Sequence, residues 1–284
     1  KGRKQMDNLK AKKRHPEEIA VYTAIYVCAA FSVLLLLGII IYVFAKGARR
    51  VNWAFLTGVT SILHGTVGIA GNILNTLIII LLTMIITTPI GVGAAIYLNE
   101  YAKPGKLVTV IIFATETLAG IPSIIFGLFG MLFFGQLCHM GYSLLTGSLT
   151  LTLMVLPLVT RNTQEALKTV PDSFRTGAVG LGAGKWYTIR TILLPSAMPG
   201  IVTGVILAIG RIIGESAALL FTAGSAHLLP KTFNAFLEKI FHSGGTLTIQ
   251  LYLSASKGEF EVAFGIAVVL LVIVLLINFG TKRL

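Results

Sequence analysis

Charged residues inside long apolar stretches are the first candidates for chemistry in this chain. They are Glu116, Arg211 and Glu215. A guanidinium suits an oxyanion, because its planar fork donates paired hydrogen bonds and its charge does not titrate away. Arg211 follows Pro199 by 12 residues, which is about 18 Å of helix. An isolated charge deep in an apolar environment is costly. We therefore predict that Arg211 either contacts an anion or forms a buried ion pair with Glu215 or Glu116.

The charge balance of this group leaves two alternatives open. Glu215 follows Arg211 by four residues, so one continuous helix would place both on the same face. Two carboxylates and one guanidinium sum to −1 when all are ionised, which does not favour an anion. Either one carboxylate is protonated, or Arg161 and cations of another chain compensate. The candidate substrate path consists of Arg211, Glu215, Glu116 and Arg161.

The composition indicates what kind of molecule must position these residues. Of 284 residues, 55% are hydrophobic and 12% are charged, whereas soluble domains carry about 25% charged residues. This excludes a water-soluble globule and a disordered chain, and two cysteines exclude a disulfide scaffold. The net charge of +12 comes without a soluble basic face for nucleic acid. The chain is predicted to cross the membrane several times.

Six apolar stretches are long enough to cross a bilayer, which requires about 20 residues. They cover residues 21–45, 72–98, 107–135, 143–160, 197–221 and 262–280. Ile121 and Pro122 interrupt the third stretch, because proline removes a backbone donor and bends a helix. The predicted fold is an all-α integral membrane protein with six transmembrane helices and a charged loop between spans four and five.

The distribution of cations predicts the orientation of the chain. In this six-span topology, sixteen Lys and Arg residues fall on one side and six on the other, with Arg211 inside a span. Cytoplasmic segments carry the excess of Lys and Arg, so both termini and residues 161–196 are predicted to be cytoplasmic. Residues 1–20 would be a basic arm at the lipid headgroups, residues 21–50 the first helix and its flank, and residues 51–284 the main membrane domain.

Sequence motifs argue against an enzyme. No Walker A loop, G-x-S-x-G elbow or H-E-x-x-H motif occurs, so the chain does not hydrolyse ATP by these means. None of the five histidines has the spacing of a metal pair on one helix face. We expect neither catalytic residues nor a metal site.

The most specific motif lies in the loop between spans four and five. Gly182 is followed by nine residues and then by Ile192-Leu-Leu-Pro195, and Thr176-Gly-Ala178 precedes Gly182 by three residues. This pattern resembles that of ABC importer permeases, which carry E-A-A, three residues, Gly, nine residues and I-x-L-P. Thr176 replaces the Glu, and Gly177 replaces the first Ala. The resemblance identifies residues 161–196 as a coupling loop for a nucleotide-binding subunit.

The residue types of the loop agree with a docking element. Pro171 ends one helix, Asp172 or Ser173 could cap the next, and Gly182 and Gly184 allow a sharp turn. An apolar stripe then follows at helical spacing, formed by Trp186, Ile189, Ile192 and Leu193. It either lies on the membrane surface facing a partner's groove or packs against neighbouring helix ends. The predicted coupling residues are Thr176, Ala178, Gly182, Gly184, Trp186, Ile192, Leu194 and Pro195.

Two further stretches narrow the resemblance. Residues 116–127 (Glu-Thr-Leu-Ala-Gly-Ile-Pro-Ser-Ile-Ile-Phe-Gly) and 208–224, which contain Leu-Leu-Phe-Thr-Ala, are similar to the membrane components of the high-affinity phosphate ABC importer, of the PstA type. The resemblance covers about residues 70–280. It implies an inner-membrane permease that forms half of a phosphate pore.

The same resemblance implies the partners. They are a sister permease of PstC type, two copies of an ATPase of PstB type, and an extracytoplasmic phosphate-binding protein of PstS type. It also implies that this chain holds no cofactor, and that ATP and Mg belong to the ATPase. Two other functions stay open: an ABC permease for another oxyanion, and a secondary transporter or channel that uses Glu116 or Glu215 as a proton or cation site.

Overall fold

The first helix forms a unit of its own. In this computed structural model, residues 16–61, 66–230 and 232–281 are described, and the chain divides into the compact units Lys1–Lys46 and Gly47–Leu284. The first unit contains most of α1 (Pro16–Gly47), an unbroken helix of 32 residues that includes the predicted first span. Residues 1–15 of the predicted basic arm lie outside the described residues.

The second unit opens with short elements and continues almost entirely as helix. After a 3-10 turn (Ala48–Arg50) come α2 (Trp53–Thr57) and an antiparallel pair of strands, β1 (Val59–Ser61) and β2 (Thr66–Ile69). The helices up to the predicted loop are α3 (Ala70–Ile96), α4 (Lys106–Gly120), α5 (Ser123–Gly130) and α6 (Leu144–Lys168). The later helices are α7 (Asp172–Gly180), α8 (Lys185–Thr188), α9 (Leu194–Ile213), α10 (Ala217–Thr222), α11 (Phe233–Glu238), α12 (Leu247–Ser256) and α13 (Phe260–Thr281).

Wider π turns extend three of these helices. Tyr97–Tyr101 continues α3, Met131–Leu137 continues α5, and Ile189–Leu193 joins α8 to α9. Among the described residues, five helices are long and apolar enough to cross a membrane. A sixth crossing results when the bent pair Lys106–Gly120 and Ser123–Leu137 is one span. The predicted helical membrane fold is confirmed, with one short pair of strands in addition.

Two of the predicted span boundaries are wrong, and the predicted interruption of the third span is confirmed. The third span bends by 102° at Ile121 and Pro122, because proline cannot donate the backbone hydrogen bond of a straight helix. The fourth helix continues eight residues past Thr160 to Lys168, as a polar end of α6. The fifth helical run begins at Lys185 and stops at Ile213, and residues 214–216 interrupt it before α10.

Small residues allow the helices of the core to approach closely. A Cβ atom on Gly91 of α3 would lie 2.9 Å from the Val159 side chain of α6. One on Gly127 of α5 would lie 2.8 Å from the Cα of Ala218 in α10. Such contacts replace the hydrophobic driving force that helices lack in lipid. Three hydroxyl groups of α6, those of Ser148, Thr150 and Thr152, donate to carbonyl groups of the same helix.

Different contacts hold the helices together at the two ends of the bundle. At one end, called the Gly245 end, Asn72 and Asn75 of α3 donate side-chain hydrogen bonds to the Gly245 carbonyl. There the Ser143 amide also donates to the Thr222 carbonyl. At the other end, called the Arg175 end, Arg175 joins the ends of α3 and α6, and the Lys185 ammonium lies 4.7 Å from the Tyr101 ring centre.

Candidate functional site

A cavity of about 360 Å³ brings three of the predicted path residues together. Glu116 of α4, Arg161 of α6 and Arg211 of α9 line it, and the remaining wall is largely apolar. Pro157 of α6, also in this wall, is 13 residues from Leu144 and 11 from Lys168. At 1.5 Å per residue these are about 20 and 17 Å of helix. The cavity therefore lies near the middle of α6.

Two further cavities share residues with this central one. Towards the Arg175 end, a cavity of about 200 Å³ shares Thr115, Glu116 and Arg161 and extends to Lys168. In the other direction, a cavity of about 400 Å³ shares Arg211 and is lined by residues from both helix breaks. Those residues are Ser123, Gly214, Glu215, Ser216 and Ala217. We call the three cavities the Arg211 track, and all four predicted path residues line it.

The geometry bears on the charge balance that the sequence left open. The central cavity is lined by two guanidinium groups and one carboxylate, a sum of +1 when all are ionised. Arg161 thus lines the same cavity as Arg211 and Glu116. This agrees with the alternative in which Arg161 helps to compensate the negative charge of the carboxylates. Arg161 is also paired with Glu165, at 3.3 Å between Nε and Oε1, with both side chains more than half exposed. An exposed pair of this kind contributes about 1 kcal/mol or less, so it leaves the guanidinium available to an anion.

Arg211 does not pair with Glu215, contrary to the expected helix face. The helix ends at Ile213, so the four-residue spacing does not correspond to one helical turn. None of the ion pairs among the described residues includes Arg211, Glu116 or Glu215. Arg211 lies in the last turn of α9, where the carbonyl end of the helix dipole favours a cation.

Glu215 caps the helix that follows the break. Its Oε1 accepts a hydrogen bond from the Ala218 amide at 3.1 Å, and its backbone carbonyl accepts one from Thr248 Oγ1 at 2.8 Å. The residue is 7% exposed. A carboxylate near a helix N-terminus satisfies amides that have no helical acceptor. Glu215 therefore has a structural task in addition to its place in the wall of the track.

In the predicted coupling loop, Gly182 occupies the position that only glycine readily adopts. Its φ is +78°, in the left-handed region. The Ala183 amide donates to the Ala178 carbonyl and the Gly182 amide to the Val179 carbonyl, both at 2.9 Å. This is a Schellman motif at the end of α7. The spacing of Ala178 and Gly182 in the sequence motif corresponds to the first and fifth positions of this helix ending.

Other local predictions for this loop are wrong. Gly184 has an ordinary φ of −68°, so no left-handed turn occurs there, and neither Asp172 nor Ser173 caps α7 with its side chain. The segment outside the long helices is also shorter than residues 161–196. Residues 161–168 belong to α6, and residues from Lys185 onwards belong to the run of α8 and α9.

The predicted apolar stripe does not lie on the surface as a unit. Ile189 and Leu193 are buried against Leu167 and Val170, while Trp186 is 58% exposed. Ile189, Ile192 and Leu193 of the stripe lie in the π turn. Pro195 follows this turn closely, and proline lacks the N–H that an ordinary helical turn uses. Ile192 and Leu194 are partly buried and Pro195 is exposed. The alternative of packing against neighbouring helix ends therefore holds for Ile189 and Leu193.

Exposed apolar side chains at the Arg175 end come mainly from α7 and the turn after it. They are Phe174, Val179, Leu181, Trp186 and Tyr187, and we call them the coupling surface. Leu181 is 91% exposed, next to Gly182. Thr176, which replaces the family's Glu, is exposed, and its hydroxyl donates back to the Asp172 carbonyl at 3.2 Å.

The sequence analysis did not identify Arg175 and Glu100, which join α7 to α3. They are 75 residues apart, and neither lies in a local motif that would reveal the pairing. Lys103 and Lys106 lie close to Glu100 in the sequence. This local pattern indicates a charged turn and not a contact with a distant arginine.

Comparisons with known proteins agree with this architecture. Residues 87–284 match the family described as "Binding-protein-dependent transport system inner membrane component". The chain is 36% identical over 267 residues to the probable ABC transporter permease protein YqgI of Bacillus subtilis, covering 90% of this chain and 91% of that one. It is 35% identical over 246 residues to the phosphate transport system permease protein PstA of Xylella fastidiosa, covering 84% and 82%.

Solved structures share the fold at low sequence identity. A bacterial alginate ABC transporter chain has a TM-score of 0.67 and 17% identity, covering 94% of this chain and 95% of that one. A chain of the MetNI methionine ABC transporter in an inward-facing conformation has a TM-score of 0.56 and 21% identity, covering 76% and 92%. The chain therefore belongs to the family of binding-protein-dependent transport system inner membrane components, and it is the permease subunit of an ABC importer rather than an enzyme.

Proposed function

We propose that the substrate is inorganic phosphate and that the Arg211 track is this chain's half of the translocation path. The observation that carries the proposal is the central cavity, where Arg161 and Arg211 converge halfway along α6. The similarity to PstA proteins supports phosphate among the oxyanions. Two guanidinium groups match a tetrahedral anion with several acceptor oxygens.

The charges that line the central cavity would attract the anion and also allow its release. Transport requires a site that is favourable enough to enter and weak enough to leave. Glu116 opposes the two arginines in the wall, so the net charge stays small. Ser123, the first residue of α5 after the Pro122 break, lines the adjoining cavity. The first amides of a helix have no helical acceptor and favour anions, which would guide phosphate past Arg211.

Partner subunits complete the proposed path. α4 has no buried residue in this chain, and its Glu116 lines the central cavity, so we propose that a sister permease of PstC type covers this side. We propose that the Arg175 end is cytoplasmic and that the coupling surface docks there on an ATPase subunit of PstB type, of which the complex would contain two copies. ATP and Mg would bind there, and a PstS-type protein would deliver phosphate at the Gly245 end.

The test is phosphate uptake by the complex reconstituted with its ATPase, sister permease and binding protein. Arg211→Gln is expected to lower uptake about ten-fold or more, because a charge-assisted contact is lost, while the assembled complex forms normally. Arg211→Lys should retain part of the uptake, since charge survives without the paired hydrogen bonds. Arg49→Gln is the matched control, because Arg49 is exposed and lines none of the three cavities.

Several outcomes would contradict this assignment. If the variant that carries both Arg211→Gln and Glu215→Gln recovered uptake, Arg211 would serve a structural pair and not phosphate. Uptake of sulfate or molybdate, with none of phosphate, would identify another oxyanion. Uptake that survives an inactivated ATPase and stops when the proton gradient is dissipated would identify a secondary transporter.

A further inference from the structure

One polar network connects the exposed helix α7 to the ends of two long helices. Arg175 Nη2 donates to Glu100 Oε1 at 2.8 Å and to the Leu167 carbonyl at 3.1 Å. Its Nη1 donates to the Val170 carbonyl and to Asp172 Oδ1, both at 3.0 Å. One guanidinium thus holds α7, the π turn after α3, and the end of α6 together. We call this network the Arg175 clasp.

Within the clasp, the pair of Arg175 and Glu100 is more sheltered from water than the other ion pairs of the described residues. The Glu100 side chain is 9% exposed and that of Arg175 is 23% exposed, whereas the pair of Arg161 and Glu165 is 70% and 62% exposed. The hydrogen bond to Glu100 raises the pKa of Arg175 above its ordinary value, although burial alone would lower it. The guanidinium therefore stays charged, and breaking a sheltered pair costs more than breaking an exposed one.

The elements joined by the clasp lead directly to the track. α6 carries Arg161 only six residues before Leu167, and Leu98, which belongs to the same π turn as Glu100, lines the same cavity as Arg161. A displacement of α7 must move both walls of that cavity as long as the clasp is closed. Lys185, at the start of α8, adds a second contact to the same π turn, because its ammonium lies 4.7 Å from the Tyr101 ring centre.

We infer that the ion pair of Arg175 and Glu100 transmits the movement of the coupling helix α7 to α3 and α6, and so couples ATP hydrolysis to the opening of the track. These two are positioning residues that do not contact the substrate. The inference rests on the proposed docking of α7 to the ATPase, but it does not require phosphate as the substrate.

The three acidic and basic members of the clasp give matched variants. Glu100→Gln removes the ion pair with α3 and one of its two acceptor oxygens, so that only a neutral hydrogen bond can remain, while Arg175 stays bound to the Leu167 and Val170 carbonyls. Arg175→Gln removes both links. Asp172→Asn is the control, because Asp172 also pairs with Arg175 but belongs to α7 itself and is 92% exposed. We expect phosphate transported per ATP hydrolysed to fall about five-fold or more in Glu100→Gln and further in Arg175→Gln, with little change in Asp172→Asn.

A distance measurement separates transmission from a loss of folding. Spin labels at Ser173 on α7 and Tyr97 on the π turn, both exposed, are compared in the full complex without nucleotide and with ATP trapped. The distance should be the same in both states of the wild type, and it should change between states in Glu100→Gln. If Arg175→Gln fails to assemble, Glu100→Gln decides alone.

Three results would overturn the inference. They are a distance that already changes in the wild type, a Glu100→Gln variant that behaves like Asp172→Asn in either measurement, and a transport ratio that is normal despite a changed distance. A wild-type complex that takes up no phosphate would refute the proposed substrate alone. The spin-label distances would still decide whether α7 and α3 move together.

Discussion

At the scale of single residues, the backbone of Gly182 explains the most specific part of the sequence motif. A Cβ atom there would meet no other atom within 4 Å, so contact with neighbouring atoms is not what requires glycine. The constraint is instead the φ of +78°, which costs an ordinary residue about 1–2 kcal/mol. The exposed Leu181 and the end of α7 depend on this conformation.

We predict that Gly182→Ala and Gly182→Trp both weaken binding of the ATPase subunit, while the chain still inserts into the membrane. Gly182→Asn should be milder, because asparagine tolerates the left-handed region. Gly184→Ala is the control, since Gly184 has an ordinary φ and equally open surroundings. Co-purification of the ATPase and uptake are measured together. Equal effects at positions 182 and 184 would exclude the backbone explanation.

At the scale of elements, two interrupted helices meet at the track. α4 and α5 bend at Ile121 and Pro122, and the run of α8 and α9 stops at Ile213 before α10. Irregular backbone at membrane depth is tolerated where it is buried in protein or lines a cavity. Glu215 and Thr248 satisfy the groups that the second break exposes, so the break is built into the fold.

We predict that Glu215→Gln assembles normally, because the amide oxygen of glutamine can still accept from Ala218. Glu215→Ala removes the cap and should cost about 0.5–2 kcal/mol of stability, seen as a lower yield of assembled complex and a lower Tm. Normal yield together with lost uptake in Glu215→Gln would show instead that the carboxylate charge acts in the path.

At the scale of the whole molecule, the proposed orientation assigns opposite sides to the two ends. The predicted topology assigns the excess of cations to the side of residues 161–196. The Arg175 end contains part of that segment, including Lys168, Arg175 and Lys185. Lys257 lies in the turn before α13, and Val262 at the start of that helix belongs to the same buried cluster as Ile69 and Leu247, next to the Gly245 end. A labelling experiment can therefore use Lys168 and Lys257, which are both exposed.

With cysteine at one of these positions, we expect rapid labelling from outside intact cells at position 257 and none at 168. The membrane-impermeant reagent should reach position 168 only after the cells are opened. Lys239 is a poor reporter, because it is 8% exposed and its ammonium donates to the Leu228 carbonyl; burial also lowers its pKa. Rapid external labelling at 168 with none at 257 would reverse the orientation.

The sequence by itself determined the membrane class, most of the long apolar helices and the coupling motif. These properties follow from local patterns, namely apolar length and the fixed spacing of Ala178, Gly182 and Pro195. Membrane helices must satisfy their own backbone hydrogen bonds, so a long apolar run has few alternatives to a helix. Pro122 likewise indicated a break, because the loss of a donor is a property of the residue alone.

Only the tertiary structure decided which charged groups meet. The four-residue spacing of Arg211 and Glu215 suggested one helix face, but the chain breaks at residues 214–216 and the carboxylate turns to Ala218. Arg161 joins Arg211 in the central cavity, although 50 residues separate them in the sequence. The pair of Arg175 and Glu100 likewise depends on packing between α3, α6 and α7. A charge selects its partner by proximity in space, and the packing of distant helices creates that proximity.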